Sequence, residues 1–393
     1  MAGERSHGRK AYVGIDDLAG ALQNVSPYFM SVDWSEDAER EETHGFGTDA
    51  VGRQALGLRK NDVSVSGWFA ISANARHHGR RLRLLIDEHD MASLFTDASL
   101  KLSCQHDEDG GFGEDFERHQ APGHVDATLS LQGFYRVGSG WGGKLAAALA
   151  ADPESAQLPL VSWAPNGYAP TRLVELIRAA ATKNTSKVER KTTNTASAEI
   201  SADDGASLGV SLQDLVPVAT AALPIVSATP VDEGGATNDG GIGQLHVTAF
   251  TGTNLTLKLR HSVDNVTYVD LATFTVVAGV GSQRIVVPEG TTVNRWLRWE
   301  ITAGTFTSVT FHVAFARRGF TLATAGTYKH LRGMLQSAAT QTFRHGPEGN
   351  ATGKEYREAE VRLSGLDLKV TRKETITFSA TLAVDGGSTT ATF

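Results

Sequence analysis

The chain has 393 residues, 40% of them hydrophobic and 21% charged, with a net charge of −7. That length exceeds a single hydrophobic core and implies two or three domains. The acidic balance argues against a protein built around a broad phosphate-gripping surface. The lone cysteine, Cys104, excludes an intrachain disulfide framework and a thiolate metal cluster.

At the N-terminus, MAGERSHGRK lacks the apolar centre of a secretory signal. The longest mostly apolar stretch, Val216 to Val226, is too short to span a membrane and contains Pro217 and Pro224. The expectation is a soluble chain made in the cytosol, without membrane contact. The acidic run Glu36 to Glu42, including Glu41 and Glu42, reads as a solvated loop. Next comes GFGTDAVGRQALGLRKNDVSVSGWF, residues 45 to 69, which recurs without a gap at residues 111 to 135 as GFGEDFERHQAPGHVDATLSLQGFY, with nine identities. Internal repeats are read first because missing one miscalls the fold.

Each repeat carries three glycines ten residues apart: Gly47, Gly57 and Gly67, then Gly113, Gly123 and Gly133. Val63 and Val65 alternate with Ser64 and Ser66, and Leu129 and Leu131 with Ser130 and Gln132, which predicts half-buried strands. The glycine that follows each alternation marks a bulge or a close backbone approach. Between the repeats, His77 and His78 stand among Arg76, Arg80 and Arg81 and read as an exposed basic loop. A second acidic stretch, Gln105 to Asp109, precedes the second repeat as the first precedes its own, which points to a shared structural task.

A second echo follows. Residues 165 to 191 align without a gap onto residues 347 to 373, and Lys187, Val188, Arg190 and Lys191 match Lys369, Val370, Arg372 and Lys373. Short helices are predicted at Lys144 to Ala151 and Tyr328 to Gln336, one before each back-half repeat. The order of echoes implies nesting: residues 1–70 and 321–393 form one unit, interrupted by a complete copy over 71–215 and an extra module. Chain ends that lie close together tolerate such insertions. Residues 216–244, rich in Ala, Gly, Pro and Thr, read as a linker or arm. Short strands with turns every eight to twelve residues over 245–320 read as a β-sandwich, jelly-roll-like module. The fold class expected is all-β, with one short helix per repeat.

Few residues suggest chemistry. Gly205 to Gly209 fits GxSxG around Ser207, but polar residues precede it and a strand follows, so the strand-to-helix elbow is not expected. Asp107, Asp109, Glu114 and Asp115 do not follow the order of a calcium loop. His44, His106, His119 and His124 lack metal-ligand spacing. Trp296, Trp299, Tyr268 and Phe311 could stack on a sugar, although core packing is the favoured reading. No catalytic, cofactor or metal site is expected. The basic runs Lys187, Arg190, Lys191 and Lys369, Arg372, Lys373 lack interleaved aromatics for nucleic acid and suit charge contacts with an acidic segment of a neighbouring subunit, such as Glu41 and Glu42.

KAYVGIDDLAGALQNVSPYFMSVDW, GLRKNDVSVSGWF, FRHGPEGNATGKEYREAEVRLSGLDL and ETITFSATLAVDGG resemble successive pieces of a major tail (tail tube) protein of a long, non-contractile-tailed phage. LLIDEHDMASLFTDASLKL and the repeat after it resemble a second member of that family. The resemblance implies a β-sandwich or small barrel flanked by a helix, self-assembly into stacked rings, and a location in the virion after synthesis in the host cytoplasm. It further implies contacts with a tape-measure protein and with tail terminator and distal tail proteins, and passage of phage DNA without sequence-specific binding. Two tube-like units per chain imply a trimeric ring with pseudo-sixfold symmetry over a hexamer. The alternative is a tail accessory or tail-tip protein that binds a cell-surface glycan or receptor through 245–320.

Overall fold

A computed structural model describes residues 10–17, 20–43, 53–69, 77–104, 108–109, 118–119, 125–134, 158–187, 194–318, 327–335, 337 and 339–393. Gly47, Gly113, Gly123, Arg190, Lys191 and the helix expected at Lys144 to Ala151 lie outside these residues. The protein is all-β, with one short helix among the described residues.

The outer unit opens with β1 (Tyr12–Asp16), β2 (Leu22–Asn24), β3 (Phe29–Thr43) and β4 (Arg53–Trp68). The inserted unit holds β5 (Arg83–Ile86), β6 (His89–Asp90), β7 (Phe95–Cys104), β8 (Glu108–Asp109) and β9 (Arg118–His119). It continues through β10 (Val125–Phe134), β11 (Leu160–Ala164), β12 (Leu173–Lys187) and β13 (Thr195–Ala219). The extra module comprises β14 (Ile225–Val226), β15 (Val231–Asp232), β16 (Gly241–Ser262), β17 (Val269–Thr273), β18 (Gly281–Val287) and β19 (Trp296–Arg317). The outer unit then resumes with α1 (Thr327–Met334), β20 (Gln341–Gly346), β21 (Glu355–Thr371), β22 (Thr377–Val384) and β23 (Thr389–Thr392).

The alternating residues form the strands expected of them. Val63 and Val65 are buried while Ser64 is exposed, and Ala127, Leu129 and Leu131 are buried while Ser130 and Gln132 are exposed. Each Val or Leu so buried contributes about 1.5–3 kcal/mol. Eight strands make one antiparallel sheet in the order β3, β4, β22, β21, β7, β10, β13, β12. The first four belong to the outer unit and the last four to the inserted one. Each unit adds a second layer, β2-β1-β20-β21 in one and β6-β5-β11-β12 in the other. Strands β21 and β12 run through both layers, and the buried side chains of the two units join one apolar cluster.

The two units correspond position by position along the strands of this shared sheet. Lys187 opposes Thr195 in one and Lys369 opposes Thr377 in the other, a shift of 182 residues. Ser99 opposes Ser130 as Asp33 opposes Ser64, a shift of 66. Their irregularities recur too. The ladder slips between Gln132 and Gly133, where Gly133 opposes Phe95, and between Phe29 and Ser31, where Gly67 opposes Phe29. A Cβ on Gly133 would lie 2.1 Å from the Leu94 carbonyl oxygen, and one on Gly67 would lie 2.2 Å from that of Tyr28. Both positions require the missing side chain because backbone presses on them.

Three segments differ from the sequence reading. The acidic run Glu36 to Glu42 is not a loop but part of β3, with Glu36 opposite Asn61 and Glu42 opposite Gln54; an edge strand can keep charges in water while its backbone pairs on one side. His77 is buried rather than exposed, edge-on to Phe69 at 5.8 Å, and its carbonyl accepts the Ile376 N–H. The stretch read as a linker contains several strand segments joined by turns. Val216 to Ala219 complete β13 against β19, β14 and β15 lie on β19, and β16 begins at Gly241. Its composition misled because edge strands need backbone pairing more than apolar periodicity.

Candidate assembly surfaces

Where the two units meet, β21 lies antiparallel to β7, from Gly365 opposite Ser103 to Thr371 opposite Asp97. Leu366, Leu368 and Val370 bury one face of this joint with Ala98, Leu100 and Leu102. The other face is polar: Asp367 opposes Lys101 and Lys369 opposes Ser99. Burial raises the Asp367 carboxyl above the ordinary aspartate range, against the pull of Lys101 and Lys369. The polar face continues across the sheet through Ser64, Ser66, Ser379, Thr381, Ser130, Gln132, Ser197 and Glu199. The Ser31 and Ser66 hydroxyls meet across the strands at 2.7 Å.

At the two ends of this sheet, β3 pairs only with β4, and β12 from Ala179 to Lys187 pairs only with β13, among the described residues. These are the two edges on which the charged segments fall. Asp33, Glu36 and Asp37 are exposed on β3, and Glu41 and Glu42 lie farther along it, opposite Ala55 and Gln54. Lys187 closes β12 opposite Thr195. Lys369, its counterpart, is exposed beside the internal joint, where the backbone N–H of Arg372 donates to Thr96 at 2.8 Å and Lys373 follows in the turn. Gly57 lies in β4 next to a second slip in the ladder, between Ala38 and Arg40.

A buried ion pair also ties the units together. Helix α1 of the outer unit places Arg332, fully buried, 3.2 Å from the equally buried Glu175 on β12. The Tyr328 hydroxyl donates to the same carboxylate oxygen at 2.8 Å, and Arg332 also donates to the Ala206 carbonyl. Burial and the adjacent Glu175 charge push the Tyr328 phenol far above its ordinary range. In the sequence this arginine is only one cation in a short helix; that Leu331, Met334 and Leu335 surround it with apolar positions is the available hint.

The extra module is joined to the inserted unit differently. His246 on β16 and His312 on β19 oppose each other and are fully buried. The Nδ1–H of His246 donates to the Asp87 carbonyl at 2.7 Å, and its Nε2 accepts the Ser162 hydroxyl at 2.8 Å. His312 donates from Nδ1 to the Gln213 carbonyl at 2.7 Å and stacks on Tyr168 with ring centres 3.9 Å apart. These partners suit a neutral His246, while the buried Nε2 of His312 has no hydrogen-bond partner and burial favours the neutral ring. Desolvation lowers His246 to about 4 and His312 to about 3, the neighbouring His246 adding to the latter. Ser162 and His246 resemble a catalytic pair in distance alone, since both are fully buried. Sequence reading missed them because histidines inside apolar strands signal a buried polar network only once the facing element is known.

Ser207 lies within β13 opposite Leu176, not on an elbow. The flanking glycines have other reasons to be there. Gly205 takes φ +75° where β13 leaves β10, and a Cβ on Gly209 would lie 2.4 Å from the Phe315 carbonyl oxygen, where β13 crosses to β19. Of the four aromatics considered for a sugar, Trp299, Phe311 and Tyr268 are buried and Trp296 is half-buried. Trp299 donates to Gln213 at 3.0 Å and packs edge-on against Phe311.

No protein-family model matches the chain, and no curated protein matches it by sequence. Among solved structures, the SPP1 Dit (gp 19.1) protein, described as a paradigm of the hub adsorption apparatus in phages infecting Gram-positive bacteria, is similar at 10% identity and TM-score 0.27, over 60% of this chain and 98% of that one. The structure of infectious bursal disease virus, Gx strain, is similar at 8% identity and TM-score 0.17, over 93% and 84%. The VP2 subviral particle of that virus gives 8% identity and TM-score 0.20, over 92% and 82%. TM-scores this low do not establish a common fold.

Proposed function

We propose that this chain is a structural protein of a phage tail that assembles head to tail into stacked rings, forming the tube through which DNA is delivered. The observation that carries the reading is the internal joint. The outer unit offers β21, the end strand of its half of the sheet, to β7, the end strand of the inserted half, and this leaves β3 and β12, the counterparts of β7 and β21, at the ends of the sheet. Head-to-tail contacts of this kind close into rings when the rotation per unit divides a full turn, and edge strands completed by neighbours become an assembly device instead of a liability. Two equivalent units per chain favour three chains per ring over six.

The polar face suits a lumen. It is rich in hydroxyls and, among the side chains described, carries Asp33, Asp37, Asp62, Asp97, Asp126, Asp367 and Glu199 against Lys60, Lys101 and Lys369, so acids outnumber the cations that could hold phosphate and slow DNA in transit. Tape-measure, terminator and distal tail proteins would meet the tube at its interior and ends, in the virion, after synthesis in the host cytoplasm. A glycan-binding tail accessory finds less support, because its aromatic candidates are mostly buried in the core. Electron microscopy of the purified chain, with end-on class averages and mass per ring, tests the reading. Hollow rings of three chains are expected, six chains would move the inserted unit off the lumen, and persistent monomers would refute tube assembly.

A further inference from the structure

The correspondence of the two units allows the register of the contact between chains to be read from the contact within one. Resting on the ring reading above, we propose that β12 of one chain pairs antiparallel with β3 of a second copy so that Lys187 opposes Asp33, Thr185 opposes Ser35 and Lys183 opposes Asp37. The internal joint is the template. Lys369 opposes Ser99 and Asp367 opposes Lys101 there, and the shifts that superimpose β21 on β12 and β7 on β3 carry these pairs to Lys187 with Asp33 and Thr185 with Ser35. The shifts hold on both strands through their irregularities. The slip of β21 on β22 between Leu363 and Gly365 recurs on β12 between Ala181 and Lys183, and the slip at Phe95 recurs at Phe29. The two edges therefore present the same backbone geometry as the strands that already pair.

Charge selects this partner over the alternatives. Two β12 edges facing each other would bring Lys183 and Lys187 against their own copies, and two β3 edges would bring Asp33 and Asp37 against theirs; like charges across strands destabilise. The internal joint sets Asp367 on β21 opposite Lys101 on β7, with Lys369 also on β21; β12 carries Lys187 at the position of Lys369 but Thr185 where β21 has its acid. A β12 strand that invaded the internal joint would place Thr185 opposite Lys101 and add Lys183 on one diagonal, the other being held by a lysine in either case, Lys369 or Lys187. Diagonal neighbours are within reach of long side chains, so the missing acid and the added lysine oppose exchange between the two joints, which is how specificity is commonly secured.

The test is disulfide trapping in the full chain carrying Ser35→Cys and Thr185→Cys. The native Cys104 is 5% exposed, and the parent chain supplies the background. Mild oxidation of assembled protein is expected to yield a ladder of covalent multimers ending at the ring size, at least tenfold faster than the displaced pair Asp33→Cys with Thr185→Cys. Rings visible by microscopy whose cysteines link no faster than the displaced pair would overturn the register and leave the ring reading standing. Absence of both rings and cross-links would overturn both. Independently, Asp33→Lys should cut ring yield at least tenfold and its combination with Lys187→Asp should restore it. A double variant as defective as the single one counts against the pairing, provided both melt like the parent.

Discussion

The joint between the outer and inserted units consists of sheet pairing with Leu366, Leu368 and Val370 on one face and hydroxyls and charges on the other. The joint between the inserted unit and the extra module encloses two histidines, a serine, a tyrosine and two glutamines in a shared hydrogen-bond network. A strand pairing is generic: any strand of equal register and compatible charge can take the same place. A buried polar network is particular, because every group in it must find its own partner. The first design can be used again between chains, whereas the second fixes one appendage in one orientation.

The largest effect is expected where these designs mix, at Arg332. Arg332→Leu leaves Glu175 buried without its cation and should cost about 3–5 kcal/mol in denaturant unfolding, while Arg332→Leu combined with Glu175→Leu should recover most of it. A single variant as stable as the parent would show that strand pairing alone holds the units together. Next come the bulge glycines. Gly67→Val and Gly133→Val should each cost about 1–3 kcal/mol or more, since backbone oxygen occupies the Cβ position. Gly365→Ala, with nothing nearer than 3.9 Å, should stay within about 0.5 kcal/mol. Equal melting temperatures for all three would remove close backbone approach as the reason for the repeated glycine.

The second joint is also sensitive to pH. His246 and His312 have folded values near 4 and 3, below the unfolded 6.5. Below about pH 6.5 the unfolded chain takes up protons that the folded chain refuses, so stability falls as pH falls. The slope is about 1.4 kcal/mol per pH unit for each histidine, and it levels off once pH passes below the folded values. Thermal scans between pH 8 and 4 should show a slope smaller by about 1.4 kcal/mol per pH unit in a His312→Leu variant, with the rest carried by His246 and by His77, His261, His330 and His345, which burial also lowers. An unchanged slope in the variant would place the acid sensitivity elsewhere.

Much of this organisation was legible without coordinates. Ungapped echoes fixed the shifts of 66 and 182 residues, because a duplicated fold preserves the spacing of its bulges even as its side chains diverge. Alternation at Val63, Val65, Leu129 and Leu131 identified half-buried strands, since the period of two is a property of the strand itself. Other features were not legible. Glu36 to Glu42 looked like a loop because charge reports solvent and not backbone pairing, and His77 looked exposed because its neighbours in sequence are cationic.

By itself, then, the sequence determined the all-β class, the nested repeat and the glycines at the bulges, all of which are set by local periodicity and by spacing along the chain. Only the tertiary structure decided that β21 meets β7, that β3 and β12 are left at the sheet ends, that Arg332 and Glu175 are buried together, and that His246 faces His312. Those facts depend on which distant strands become neighbours, and a strand's pattern of apolar and polar residues specifies a face to bury without specifying what it is buried against.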